Sequence, residues 1–365
     1  MLSCLTGTTA FALDEAPGNF RVVAYVAGWS PPPVIHAGKL THINFAFARI
    51  GSEGKVAFEN PGFAPVLKSL VALKQQNPRL KVLISVGGWE ADGFSDGALS
   101  VTSRQAFAHS AIELMRTHGA DGLDLDWEYP GQGVAGIKFR PEDKQNFTLL
   151  LKEVRKQLEA ASDADDRMAP DRYLLTIASA DREYFHHTEM DRLHVHLDWI
   201  NVMGYDFFNS LTPTTGHHSG LYASEHAAPA DRNADASIRQ HLAAGIPPKK
   251  LVLGVAFYGR GFAGVKSTHD GLHQPYERYE GDHSYAELAG KLIDRQGFLR
   301  RWDERAKAHS LWNAESRTFI TYEDPESIRA KAQYVRDLRL GGMMFWELSQ
   351  DRNDELLDVI VTSLR

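Results

Sequence analysis

Eight short runs rich in Val, Ile, Leu, Phe and Ala recur along the 365-residue chain: "RVVAYVAGW" from residue 21, "THINFAFA" from 41, "KVLISVGGW" from 81, "DGLDLDWEY" from 121, "YLLTIASA" from 173, "DWINVMGYDF" from 198, "LVLGVAFYG" from 251 and "GGMMFWELS" from 341. Between them, "FAPVLKSLVALKQQ" (63–76), "RQAFAHSAIELMRTHG" (104–119), "KQNFTLLLKEVRKQLEAA" (144–161) and "DPESIRAKAQYVRDLRLG" (324–341) carry apolar residues three and four apart, the spacing of amphipathic helices. A strand that is apolar throughout must be covered on both faces, which parallel strands inside a ring of helices achieve. This alternation predicts an α/β fold, a (β/α)8 TIM barrel. The last of these helices is expected to open on Asp324-Pro325, an N-cap followed by a first-turn proline, and to stop at Gly341.

One interval breaks the rhythm. Residues 260–320, between the seventh strand and its helix, are too many for a βα loop and mix short aromatic and charged segments. They predict a small α+β insertion, leaving 20–259 and 321–365 to the barrel. Because βα loops open onto the carboxyl face, where barrel enzymes keep their sites, the insertion is expected to wall one side of a cleft.

Composition narrows the function classes. The net charge is −7, with Lys and Arg scattered, so no nucleic-acid partner is expected. No run of about eighteen apolar residues predicts a membrane span. A single cysteine, Cys4, excludes an internal disulfide and a cysteine-based zinc site. The opening "MLSCLTGTTAFALDEAP" has a short apolar region and a signal-peptidase-like Ala10-Phe11-Ala12, but no basic region before it. Residues 1–19 therefore read as a truncated export signal, implying a secreted or periplasmic protein, or else as a disordered terminus.

The run "DGLDLDWEYP" (121–130) places four carboxylates among apolar residues. On a strand, Asp124, Asp126 and Glu128 share one face while Leu123, Leu125 and Trp127 share the other. If the apolar set packs outward on helices, the acids enter the barrel, with Glu128 at the carboxyl end. Asp121 has the opposite parity and is expected to satisfy backbone amides before the strand. Three carboxylates spaced at about 6–7 Å cannot all ionise cheaply in a low dielectric, so at least one should hold a proton. A carboxyl kept neutral near pH 7 by like-charged neighbours is what general acid catalysis requires, and Glu128 is placed to be that acid. A DxD spacing also suits a divalent cation, but aromatics rather than completing ligands surround it, so no metal or cofactor is expected.

With this acidic strand in fourth place, the chain resembles the family 18 glycoside hydrolases, whose signature is DxxDxDxE. "SVGGW", "MGYDF" and "FWELSQD" reinforce the resemblance, and the insertion with the following "TFITYEDPESIRAKAQYVRDLRLGGMMFWE" is similar to the chitinase subgroup that carries an insertion domain. The resemblance implies hydrolysis of β-1,4-linked N-acetylglucosamine, in chitin or chito-oligosaccharides, by a retaining route in which the substrate's own acetamido oxygen attacks. It assigns Glu128 as acid and base, Asp126 as partner of the acetamido N–H, Asp124 as a sharer of the buried charge, and Tyr205 as donor to the acetamido carbonyl. Met203, on one face of strand six with Tyr205, and Asp206 at its loop would line the sugar. Trp346 would floor the distorted ring and Trp89 would stack on the leaving-group side, while Tyr25 and Ser85 would bond the inner aspartate. Core or loop packing is the competing explanation for Trp346, Trp89, Tyr25 and Ser85. An endo-β-N-acetylglucosaminidase and an inactive chitinase-like lectin are the alternative functions, and a monomer is expected. Trp29, Phe45 and Tyr258 are taken as packing, the pairs His186-His187 and His217-His218 as solvated loop residues, and Trp312 is left unoriented.

Overall fold

The computed structural model describes residues 20–32 and 34–365. Residues 1–19, read above as an export signal or a disordered terminus, lie outside the described residues. Eight parallel strands form the centre: β1 (Arg21–Ala27), β2 (His42–Ile50), β3 (Lys81–Gly87), β4 (Gly122–Asp126), β5 (Leu174–Ser179), β6 (Trp199–Val202), β7 (Leu251–Ala256) and β8 (Gly342–Trp346). Each pairs with its neighbours in chain order, and β1 pairs with both β2 and β8, so the sheet closes on itself. The fold is a (β/α)8 TIM barrel.

The longer helices around it are α1 (Phe63–Ala72), α2 (Val101–Thr117), α3 (Asp143–Ala164), α4 (Ala234–Ala243), α5 (Pro325–Asp337) and α6 (Glu355–Leu364). Three of their starts are chemically marked: Ser100, Asn233 and Asp324 each accept a backbone N–H of the first turn, which would otherwise lack a partner. α5 ends four residues before the expected Gly341, because Arg339 turns into the left-handed region at φ 53°. From there the chain runs directly into β8.

The outward face of the acidic strand belongs to the core. Leu123, Leu125 and Trp127 are buried beneath the helices. The Trp127 indole lies parallel to Phe94, with ring centroids 5.1 Å apart, and edge-on to Phe147 at 5.3 Å. This arrangement forces the intervening Asp124 and Asp126 into the barrel. At the barrel's lower end Asp121 accepts the Val82 N–H at 3.0 Å and pairs with Lys74 and Arg167.

Between β7 and α5 the chain builds a separate five-stranded antiparallel sheet, ordered Arg278–Ser284, Tyr258–Ala263, Thr318–Tyr322, Ala308–Asn313, Leu299–Asp303. Its own small core contains Phe262, Val265, Trp312 and Phe319, so Trp312 is a packing residue rather than a cleft residue. Among the described residues no helix is long and apolar enough to cross a membrane.

Truncating Trp127 removes a fully buried indole from between two aromatic neighbours, Phe94 and Phe147. Trp127→Ala is expected to lower unfolding free energy by about 3–5 kcal/mol, read as a lower urea midpoint at unchanged slope.

Candidate active site

Asp124 sits at the centre of the barrel with no solvent exposure and four donors. Tyr25 from β1 and Ser85 from β3 each donate to Oδ2 at 2.7 Å, while Thr176 from β5 and Asn201 from β6 donate to Oδ1 at 2.5 and 3.2 Å. The strand register aligns them, with Ser85 and Thr176 directly beside Asp124. Burial pushes its pKa up, and these hydrogen bonds pull it back.

One step higher, Asp126 is buried and, among the described residues, its Oδ1 has no hydrogen-bond partner. Burial, then the charges of Glu128 and Asp124, hold it well above the usual carboxylate range, with Arg49 opposing. β4 ends at Asp126, and Glu128 lies just beyond it, half-buried at the mouth. Burial raises its pKa from 4.5 to about 7, aided by the charge of Asp206 and opposed by the Tyr129 hydroxyl and Arg49. The expected cause is therefore reordered. Desolvation leads, the like charge acting on Glu128 comes from across the mouth, and the repulsion within the acidic strand falls on Asp126.

The GG before Trp89 is dictated by crowding. A Cβ on Gly87, which has φ 116°, would lie 2.1 Å from the Asp126 carbonyl, and one on Gly88 would lie 2.5 Å from the Phe47 ring. Trp89 follows, 44% exposed, with its ring 6.4 Å from that of Tyr129. Trp346, the last residue of β8, stacks on Phe47 with centroids 5.5 Å apart and planes 15° apart, and touches Tyr25 and Trp29. Trp29 is 58% exposed and joins this aromatic group at the mouth, so it is not core packing, whereas Phe45 is fully buried among the outer helices.

β6 is shorter than expected and stops at Val202, so Met203, Tyr205 and Asp206 stand beyond it rather than on it. Gly204 passes so close to the Gly254 carbonyl that a Cβ there would lie 2.5 Å away, which marks where the chain leaves the ladder. Tyr205 still points into the barrel mouth, its hydroxyl donating to the Met344 sulfur at 3.8 Å. Burial and then the charge of Asp126 push its pKa well above 10, so it is a donor. Met203 is half-buried against both the inner and the outer cores.

Asp206 anchors a network absent from the sequence reading. Arg260 bonds both its oxygens, at 2.9 and 2.6 Å, the Tyr258 hydroxyl donates to Oδ1 at 2.8 Å, and His218 Nδ1 is 3.6 Å away. Burial works against its charge, but His218 and Arg260 outweigh it and hold the carboxyl well below the usual range. Tyr258 is thus a site residue rather than packing. His217 and His218 are buried, the first paired with Asp303 at 3.1 Å, which overturns their assignment as solvated; His186 is exposed. Among the described residues no cluster of three or more His, Cys, Asp or Glu side chains is placed to hold a metal.

A carboxylic acid neutral to about pH 7, beside a second protonatable carboxyl and over an aromatic floor, is the arrangement that acid-catalysed cleavage of a glycosidic bond uses. A sequence model described as Glycosyl hydrolases family 18 matches residues 21–351, and the chain belongs to that family. Chitinase A1 of Niallia circulans is 36% identical over 420 residues, covering 97% of this chain and 60% of that protein, so this chain spans about 60% of its relative's length. Chitotriosidase-1 of Mus musculus is 34% identical over 355 residues, covering 91% of this chain and 73% of that protein. The structure of a family 18 N-acetylglucosaminidase from Paenibacillus barengoltzii is similar at a TM-score of 0.88 and 40% identity, covering 95% of this chain and 100% of that one.

The raised Glu128 value belongs to the folded state, so its stabilising contribution is complete below about pH 4.5 and is lost as pH climbs through 7. Carbon-13 NMR of glutamate-labelled protein is expected to show one carboxyl titrating near pH 7, absent in Glu128→Gln. Asp206→Asn, by removing the charge across the mouth, is expected to lower that midpoint.

Proposed function

We propose that the protein hydrolyses β-1,4 linkages between N-acetylglucosamine units of chitin or chito-oligosaccharides, with retention and with the substrate's acetamido group as nucleophile. The observation that carries this is the unpartnered, buried Oδ1 of Asp126 beside the protonated Glu128. A buried oxygen without a donor is costly, and a sugar acetamido N–H would supply one.

Glu128 gives its proton to the glycosidic oxygen as the C1–O bond breaks, and the acetamido carbonyl oxygen bonds to C1 from the opposite face. Asp126 accepts the acetamido N–H and stabilises the resulting oxazolinium, while the Tyr205 hydroxyl orients the carbonyl. Asp124, fixed by Tyr25 and Ser85, holds the charge beneath them. The Glu128 carboxylate then takes a proton from water, which attacks C1 from the side the leaving group vacated as the C1–O bond of the oxazolinium breaks and the acetamide is regenerated, so the β configuration is restored. Trp346 floors the ring with a flat apolar face, and Trp89 takes the sugar beyond the cleaved bond. Met203 and Asp206 complete the wall, and the five-stranded sheet between residues 258 and 322 lengthens it. A polymer too large to enter a cell fits action outside the cytoplasm, by a monomer without a cofactor.

A second reading, release of single N-acetylglucosamine units, is favoured by the likeness to the Paenibacillus barengoltzii N-acetylglucosaminidase. Chito-oligosaccharides labelled at the reducing end separate the two: internal cleavage yields mixed oligomers, terminal cleavage yields monosaccharide from the start. Colloidal chitin and a high-mannose glycoprotein assayed alongside separate chitinase from glycoprotein-directed action. A protein that binds these sugars and cuts none of them is a lectin.

Glu128→Gln is expected to lower kcat by about 10³-fold or more while sugar binding by calorimetry persists. Early-time proton NMR is expected to find the β anomer first; an α first product would overturn the substrate-assisted route.

A further inference from the structure

Among the described residues three arginines approach the catalytic mouth, and two are neutralised. Arg260 is engaged by Asp206, and Arg232 by Asp181. The third, Arg49 near the end of β2, is half-buried and, among the described residues, has no carboxylate in ion-pair contact. Its fixed partners are of another kind. Nη1 donates to the Gly87 carbonyl at 2.6 Å, and the guanidinium carbon lies 5.6 Å from the centroid of Phe47, whose ring stacks on Trp346.

Those contacts tie Arg49 to the acids through the backbone. Gly87 is the residue of β3 in register with Asp126, and the next amide, Gly88 N–H, donates to the Asp126 carbonyl at 2.9 Å. Arg49 therefore grips one side of the turn whose other side holds Asp126 and whose outgoing residue is Trp89. A half-buried cation without a counter-ion is also expensive to keep unless a charge that develops nearby uses it.

We propose that Arg49 is a positioning residue for the Asp126–Glu128 pair, holding the Gly87–Trp89 turn against Asp126 and presenting an unneutralised positive charge to both carboxyls. The proposal rests on the assignment of Glu128 as the acid. Its consequence is electrostatic. The pair is faced by Asp124 on β4, Tyr129 beyond it, Tyr25 on β1, Tyr184 after β5, and Tyr205 and Asp206 after β6. The charges among these make ionisation harder, and burial does the same. Arg49 opposes them on both carboxyls. Without it the ionised Asp126 that must receive the acetamido N–H would form only at higher pH, and Glu128 would return to its base form with more difficulty.

The test compares pH profiles of kcat/KM on chitotriose for the full chain, Arg49→Gln and Arg49→Lys, with thermal melts confirming folding. Arg49→Gln removes the charge and, with its amide nitrogen two bonds short of Nη1, also the hydrogen bond to the Gly87 carbonyl. Both limbs of its profile are expected to move to higher pH by about half a unit to one unit. Arg49→Lys keeps the charge and loses the planar fork, so its limbs should stay with those of the parent while kcat falls. A Gln profile that superimposes on the parent's overturns the proposal, and so does a Lys profile whose limbs are displaced, a result that can be read even if the Gln variant does not fold. Full turnover by Glu128→Gln would instead defeat the acid assignment, whatever Arg49 does.

Discussion

The site depends on a carboxylate that water cannot reach. Asp124 lies at the dry centre of the barrel, and an ion there is tolerable only because hydroxyls and an amide from β1, β3, β5 and β6 converge on its two oxygens. Four of the eight strands must therefore keep register for one side chain. Everything above inherits that precision: Asp126 is placed next along the strand, Glu128 follows at the mouth, and each feels the acid below it or across from it. The low dielectric that makes Asp124 difficult to hold is the same medium that keeps Glu128 protonated near neutrality.

The opposite wall is built on the reverse principle. Asp206 is kept ionised by Arg260 and Tyr258, residues at the start of the five-stranded sheet, and by the buried His218. This knot joins the loop after β6 to the insertion. Its net effect on Glu128 is that of a fixed negative charge a short way across the cleft. One carboxylate is thus pinned charged so that another remains neutral, which is how a single cleft keeps two acids in different states.

Much of this was legible from residue pattern. Near-continuous apolar runs separated by amphipathic segments identify the barrel, and alternation in "DGLDLDWEYP" separates the acids from the outward Leu123, Leu125 and Trp127. The contacts of Tyr25 and Ser85 with Asp124 follow from the family resemblance. What escaped depends on tertiary approach. Strand ends are set by close backbone passage, as at Gly204, which periodicity does not report. Arg260, His218 and Arg49 matter because distant segments bring them to the mouth, and a single Arg or His in a sequence carries no sign of that. Trp29 and Tyr258 looked like ordinary strand-end aromatics because exposure and partners, not composition, distinguish a cleft residue from a core residue.

The parity of β4 gives the barrel an unusual division of labour. Odd-numbered positions 123, 125 and 127 face the helices, and even-numbered positions 124, 126 and 128 face the barrel interior and its mouth, where the proposed chemistry lies. Variation that repacks the outer layer can accumulate without touching a reacting atom, provided the segment's length is kept. A single inserted or deleted residue has no such latitude, since it would exchange the two sets at once, exposing carboxylates to oil and greasy side chains to substrate. Drift by substitution is open to this strand; drift by slippage is closed.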